Sequence, residues 1–369
     1  MGNAGFPKTV FITINPSPYR VTLYDLLGSV LREKFSVIYC PENINNLPWE
    51  ATCLKHVNYS LKDIHINLIF KTIVFHVGIW QKLQMIKPDV IVTGGFRIPM
   101  LTAIVFAKLY RKKHIIITDA WEHTEKEYSF LHILIRKTVY KYGNAFFPVG
   151  EKGKKNFLRY SVDKKKIFIV PYSIDENNYY PKDKTKLYDI MFCGQFIERK
   201  MPLFLCEVAK GLNALNGDIR VLILGKGPLE NEIRNFLKRE GIKYTMPGFV
   251  QQNDIIHYYQ KSKVFLFPTK SDGWGVVANE ACASGLPVIT CDYAGAANDL
   301  IINKYNGFVL PLDVDIWTNQ IQLLLNDPVL YSYLSQNALD SVKNYSSLVA
   351  SNNVFKALEN VMVPDINVE

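Results

Sequence analysis

The chain has 369 residues, of which 48% are hydrophobic and 21% charged, and it carries a net charge of +9. These values describe an ordinary globular protein with room for two domains, each able to bury a core, and exclude a disordered or low-complexity chain. The six cysteines include no Cys-x-x-Cys pair, which excludes a zinc ribbon or a disulfide framework and leaves buried reduced thiols.

No apolar run reaches the roughly 18 residues of a membrane helix, and the nearest, Leu101–Ala107, is cut by Lys108. Pro7 and Lys8 interrupt Met1–Val10, so it does not read as a signal peptide and the expected location is cytoplasmic. Residues 1–184 hold 27 Lys and Arg against 15 Asp and Glu, whereas residues 185–369 hold 16 against 19. A basic first half asks for an anionic partner. Nucleic acid is not expected, because no aromatic-interleaved basic motif or finger spacing occurs. An anionic membrane surface or a phosphate-linked acceptor fits better, with a solvated basic face as the alternative.

In chain order, Thr9–Ile14 reads as a strand, Tyr19–Lys34 as a helix and Phe35–Cys40 as a second strand, so Asn15–Pro18 is a strand-to-helix loop of an α/β unit. It lacks Gly-x-Gly-x-x-Gly, which argues against a dehydrogenase. Arg20 at the helix start opposes the helix dipole and hints at an anion. Asn43–Asp63 is a polar excursion, a helix is expected over Leu68–Ile86, and Asp89–Thr93 is a buried strand ending in the flexible loop Gly94–Gly95–Phe96–Arg97. Pro99–Arg111 reads as a helix and His114–Thr118 as a strand whose end carries Asp119, Trp121, Glu122 and His123, titratable groups where a parallel sheet opens. Glu127–Tyr142 reads as an amphipathic helix, apolar at Leu131, Leu134, Ile135, Val139 and Tyr142, with core packing expected and membrane contact the alternative. Asn144–Val149 and Ile167–Pro171 close the first sheet.

The second half repeats the rhythm after an expected linker at 176–187. Tyr188–Cys193 is a strand ended by Gly194, and Pro202–Leu215 a helix, with Gln195, Arg199 and Lys200 between them. Two cations facing a helix N-terminus make sense with an anion to bridge them. Arg220–Leu224 leads into a turn at Gly225–Pro228, and Pro247–Val250 is a further loop. Val264–Phe267 then runs as a buried strand into Thr269–Gly275, a helix from Val276, and a stop at Gly285 and Pro287. The turn leaves unpaired amides and a positive dipole end above the sheet, flanked by Asp272 and Glu280 with seven residues between them. Donors for phosphate beside acceptors for hydroxyls suit a nucleotide sugar. An N-cap aspartate and a solvated glutamate are the plainer alternative.

This stretch, Asp272–Gly273–Trp274–Gly275, Glu280–Ala281 and Gly285–Leu286–Pro287–Val288, resembles the signature of the retaining glycosyltransferases of the GT-B fold, family four. The resemblance implies two Rossmann-like domains facing across a cleft, residues 1–175 on the acceptor side and 188–345 on the nucleotide-sugar side, with 346–369 crossing back. It implies donor contacts from Gly194, Gln195 (where the family usually has arginine), Arg199, Lys200, Gly225, Val250, Gly273, Trp274, Gly275, Val276, Val277 and Glu280, with Asp272 at the sugar. It places Pro18, Tyr19, Arg20, Gly94 and Gly95 on the acceptor side, and makes Asp119, then His123, the candidates to assist the acceptor hydroxyl. Asp313–Val314–Asp315 has a metal-binding form but precedes a helix and reads as a cap, so no metal and no cofactor are expected. The expected activity is retaining transfer from a nucleotide-diphosphate sugar to a glycan or lipid-linked acceptor in bacterial surface-polysaccharide biosynthesis, at or near the inner membrane face. A GT-B sugar-nucleotide epimerase and a non-catalytic nucleotide-sugar binder remain as alternatives.

Overall fold

A computed structural model describes residues 5–41, 53–68, 71–76, 78–126, 128–174, 179 and 185–363. Residues 43–52 of the excursion expected at Asn43–Asp63 and most of the linker expected at 176–187 lie outside the described residues; the rest of the excursion includes the short strand Asn58–Ser60. The chain divides into two compact units, residues 1–173 with 347–369, and residues 174–346.

The first unit begins with β1 (Thr9–Thr13), whose first four residues are fully buried, as expected of a strand covered on both faces. Pro18 sets the first turn of α1 (Pro18–Leu31), which buries Val21, Tyr24, Leu27 and Leu31. Then follow β2 (Phe35–Tyr39) and β3 (Asn58–Ser60). The helix expected over Leu68–Ile86 is not formed as such. Its first part belongs to an antiparallel hairpin, β4 (Asp63–Leu68) and β5 (Lys71–His76), in register from Asp63↔His76 to Leu68↔Lys71. The β-branched residues Ile64, Ile66, Thr72, Ile73 and Val74 favour that state. Only α2 (Ile79–Ile86) is helical.

The remaining elements of the first half are β6 (Val90–Gly94), α3 (Ile98–Leu109), β7 (Lys113–Thr118), α4 (Glu122–Glu125), α5 (Phe130–Lys141), β8 (Ala145–Pro148) and α6 (Glu151–Arg159). Ile167–Pro171, expected as a strand, contributes a single bridge to Phe146 rather than a ladder. The main sheet is parallel in the order β3-β2-β1-β6-β7-β8. On α5, Val139 and Tyr140 are buried, but Phe130, Leu131, Leu134 and Tyr142 are exposed, so most of the apolar stripe expected to pack in the core does not.

The second unit has β9 (Tyr188–Cys193), α7 (Pro202–Asn216), β10 (Arg220–Leu224), α8 (Glu230–Arg239), β11 (Lys243–Gly248), α9 (Gln252–Gln260), β12 (Ser262–Phe267), α10 (Val276–Ala283), β13 (Val288–Thr290), β14 (Gly307–Val309), α11 (Val314–Asn326) and α12 (Pro328–Val342). Its sheet is parallel in the order β11-β10-β9-β12-β13-β14, the same permutation as in the first unit. Asp313 accepts the amide of Ile316 at 2.9 Å, so it is the cap of α11. The last element, α13 (Ser347–Met362), belongs to the first unit. It buries Ala350, Val354, Ala357, Leu358 and Val361 in one core cluster with Phe11, Tyr24 and Phe35.

In each sheet the strand order reverses between the first and fourth strands, β1|β6 and β9|β12. Loops leaving the carboxyl ends there open a crevice, the usual ligand position in such sheets.

Candidate active site

In the second unit the loops at the switch point are stitched to one another. Lys270 donates its amide to the Arg199 carbonyl at 2.9 Å, and Phe196 donates to the Lys226 carbonyl at 2.9 Å. Gly225 stands at φ +137, and a Cβ there would meet the Gly194 carbonyl oxygen at 1.8 Å, so only glycine lets these two loops touch. Gly275 caps α10 at φ +96 against the Phe267 ring, which orients the amides of Val276 and Val277 in the first turn.

The side chains divide the work differently from the sequence expectation. Lys200 forms an ion pair with Asp272, whose other oxygen accepts the Trp274 amide at 3.3 Å. The expected phosphate cation and the expected sugar carboxylate therefore hold each other in the free site. Arg199 is exposed and donates to the Ser271 carbonyl, while Gln195 is exposed nearby. The side chain of Trp274 is buried, donates to Asn279 at 2.8 Å and packs on Tyr345, so this residue offers the site its backbone only. Val250 lies apart, lining a cavity of about 640 Å³ with Phe249 and His257.

Glu280 stands in the second turn of α10 with both carboxylate oxygens occupied. Tyr179 donates to Oε1 at 3.1 Å and Tyr259 to Oε2 at 2.8 Å. Burial raises its pKa to about 7, and the two hydroxyls pull the other way. Neither tyrosine was identified from the sequence. Tyr179 stands 101 residues from Glu280 in a stretch read as linker, and no local signal marks either one. Each carboxylate oxygen has a second lone pair, so the pair of hydroxyls fixes Glu280 without using up its capacity to accept from a ligand.

In the first unit the corresponding switch point holds a cavity of about 450 Å³. Tyr19, Arg20, Gly94, Gly95 and Asp119 all line it, so these five expected residues come together. Pro18 opens α1 at its edge. Tyr172, which sequence reading missed, joins them. It packs edge-on against Tyr19 at 4.7 Å, lies under the Arg20 guanidinium at 4.2 Å and donates to Asp119 at 3.2 Å. Burial, then the Asp119 charge, holds the Tyr172 phenol well above its ordinary pKa, so it stays a donor. His123 is not part of this lining; it stacks on Trp121 at 5.4 Å.

Comparison with known proteins bears on this arrangement. Residues 175–341 match the model of the family "Glycosyl transferases group 1". Residues 175–341, the greater part of the second unit, thus resemble the group 1 glycosyltransferases. It is 29% identical over 204 residues to the UDP-Gal:alpha-D-GlcNAc-diphosphoundecaprenol alpha-1,3-galactosyltransferase of Escherichia coli, covering 51% of this chain and 52% of that one. It is 26% identical over 247 residues to a Campylobacter jejuni alpha-1,4-N-acetyl-D-galactosaminyltransferase named for a diphosphoundecaprenol-linked substrate, covering 66% and 67%. The chain spans about half the length of the curated relatives it matches, 47% to 56% of three of them. Among solved structures, Anabaena HepE in complex with UDP and glucose superposes with a TM-score of 0.74 at 12% identity, over 96% of this chain and 99% of that one. The fold is therefore GT-B, two six-stranded parallel sheets with their helices.

Proposed function

We propose that the chain transfers a sugar from a nucleoside diphosphate sugar to a hydroxyl of a glycan or lipid-linked acceptor, with retention and without a metal ion. The observation that carries this reading is Glu280, held by Tyr179 and Tyr259 beside the amides of α10. In this reading its carboxylate accepts from the ribose hydroxyls. The Val276 and Val277 amides face the diphosphate, and Arg199 and Lys200 neutralise it as its charge grows. Asp272, once Lys200 turns to the diphosphate, accepts from the sugar. The bond from the anomeric carbon to the diphosphate oxygen breaks, and a bond to the acceptor oxygen forms on the same face. The acceptor proton passes to an oxygen of the departing diphosphate, with Asp119 in the first unit as the group that orients the acceptor hydroxyl. No second-unit side chain is assigned as a covalent nucleophile, unlike the retaining glycosidases.

Support for UDP as the nucleotide comes from the UDP named for HepE and the UDP-galactose named for the Escherichia coli relative. The diphosphoundecaprenol named for two relatives supports a lipid-linked acceptor in surface-polysaccharide synthesis. Among the described residues no helix is long and apolar enough to cross a membrane. The exposed Phe130, Leu131 and Leu134, next to Lys137 and Lys141 on α5, support peripheral contact with the cytoplasmic membrane face.

The test is a thermal-shift panel of UDP, GDP, ADP and their sugars, with and without chelator, followed by nucleotide release with and without acceptor. Stabilisation by UDP that chelator leaves unchanged, and release that needs acceptor, are expected. Glu280→Gln and Lys200→Ala should each lower turnover more than about tenfold with the fold retained. Release without acceptor would favour an epimerase, and binding without turnover a sugar-nucleotide binder.

A further inference from the structure

The cavity of the first unit contains a feature that the transfer reading leaves unused. Arg20 is only 7% exposed, yet among the described residues its Nη1 has no hydrogen-bond partner. A buried guanidinium with an idle N–H is costly, because its desolvation goes uncompensated. Its position adds to the cost. Arg20 stands in the first turn of the fourteen-residue α1, where the helix dipole is positive and that turn holds no acidic residue. The second helix opening onto the cavity, α3, also starts on an arginine, Arg97, and also lacks an acidic first turn. Two helix N-termini and two arginines line one space, and one of these arginines is the buried Arg20.

We infer that this cavity binds a phosphate group, and that the group belongs to the acceptor, a sugar carrying a phosphate or diphosphate. The guanidinium offers a planar donor edge suited to two phosphate oxygens. The Tyr172 ring lies flat between Arg20 on one side and Asp119 at its hydroxyl end, so cation and carboxylate stand one phenol ring apart. A sugar phosphate presents the matching pair, an anion at one end of the ring and free hydroxyls at the other. The hydroxyl to be glycosylated then meets Asp119 while the phosphate meets Arg20. This assignment of source rests on the proposed transfer reaction; the anion site itself rests on Arg20, with Arg97 and the two helix starts beside it. The other source of the same chemistry is the diphosphate of the donor.

The experiment uses the full chain and calorimetric titration with N-acetylglucosamine 1-phosphate, with N-acetylglucosamine as the neutral control, each in the absence and presence of saturating UDP. The phosphorylated probe should bind both with and without UDP, and the neutral sugar at least tenfold more weakly. Arg20→Lys, which keeps the charge but loses the planar edge, should weaken the probe by roughly tenfold or more and leave UDP affinity unchanged. Because a buried position tolerates change poorly, the exposed Arg97→Gln is the second variant, expected to weaken the probe severalfold. Equal binding of the two sugars, or unchanged probe affinity in both variants, would overturn the inference. Loss of probe binding under saturating UDP, with UDP weakened in both variants, would overturn the acceptor as its source. Failure of UDP to bind while the probe still does would sink the transfer reading and leave the phosphate site standing.

Discussion

Glu280 gives the sharpest test of the donor site because its charge changes in the working range of pH. With a pKa of about 7, the carboxylate is about one-tenth ionised at pH 6 and about nine-tenths at pH 8. If the ionised form is what accepts from the ribose, apparent affinity for a UDP-sugar should rise about tenfold over those two pH units. A UDP-sugar is the right probe, since its diphosphate is esterified at both ends and holds its charge across the interval. Titration calorimetry at pH 6, 7 and 8 should show this slope in the native chain and none in Glu280→Gln, which keeps the shape and loses the titration. The ligand-free protein carries the mirror effect. The folded pKa lies above the ordinary value of 4.5, so the contribution of Glu280 to stability is full below about pH 4.5 and is lost as pH rises to about 7. The loss amounts to at most about 3 kcal/mol and less in practice, because the side chain is partly open to water. The melting temperature of the ligand-free native chain should therefore fall between pH 5 and 7, and Glu280→Gln should lack that component. A native affinity that is flat with pH, or one that slopes equally in the variant, would refute the reasoning.

Gly275→Ala should cost about 2–4 kcal/mol in denaturant melts, because the new Cβ would stand 2.1 Å from the Phe267 ring at a φ of +96. Gly217→Ala, at φ +72 with open space around it, is the control and should cost only about 1 kcal/mol; equal losses would show that the close approach at Gly275 carries no weight. Replacing the exposed Phe130, Leu131 and Leu134 by serine should abolish co-sedimentation with anionic vesicles at low salt and leave the melting temperature nearly unchanged. Sedimentation as strong as in the native chain would remove α5 from the membrane surface.

What could be read from the sequence was what is local in it. The strand, turn and helix around Asp272 and Glu280 were legible because glycine placement, a capped helix start and a Gly-Leu-Pro stop all act within 20 residues. The Asp313 cap was legible for the same reason. The partners of those residues were not. Lys200 is 72 residues from Asp272, and Tyr179 is 101 from Glu280, distances that only the folded sheet closes. The hairpin at Asp63–His76 was misread because apolar residues dense enough for a helix face were also β-branched, and pairing across the hairpin decided between the two. Leu131 and Leu134 were expected to pack in the core on periodicity alone, which marks an apolar face and does not say what covers it. Arg20 was placed correctly at a helix start, but its burial against Tyr172 depends on a residue 152 positions away.

The last helix has a consequence for how the chain is made. The second unit is one uninterrupted segment, and all of its strands have been synthesised by residue 309. The first unit is not: α13 supplies Ala350, Val354, Ala357, Leu358 and Val361 to the same core as Phe11 and Phe35. On a ribosome, then, the half that starts first finishes last, against the usual order for domains along a chain. Until residues 347–362 emerge, the sheet begun by β1 keeps an uncovered apolar flank that nascent-chain chaperones are suited to shield. A stop before residue 350 would remove not a tail but one wall of the first core.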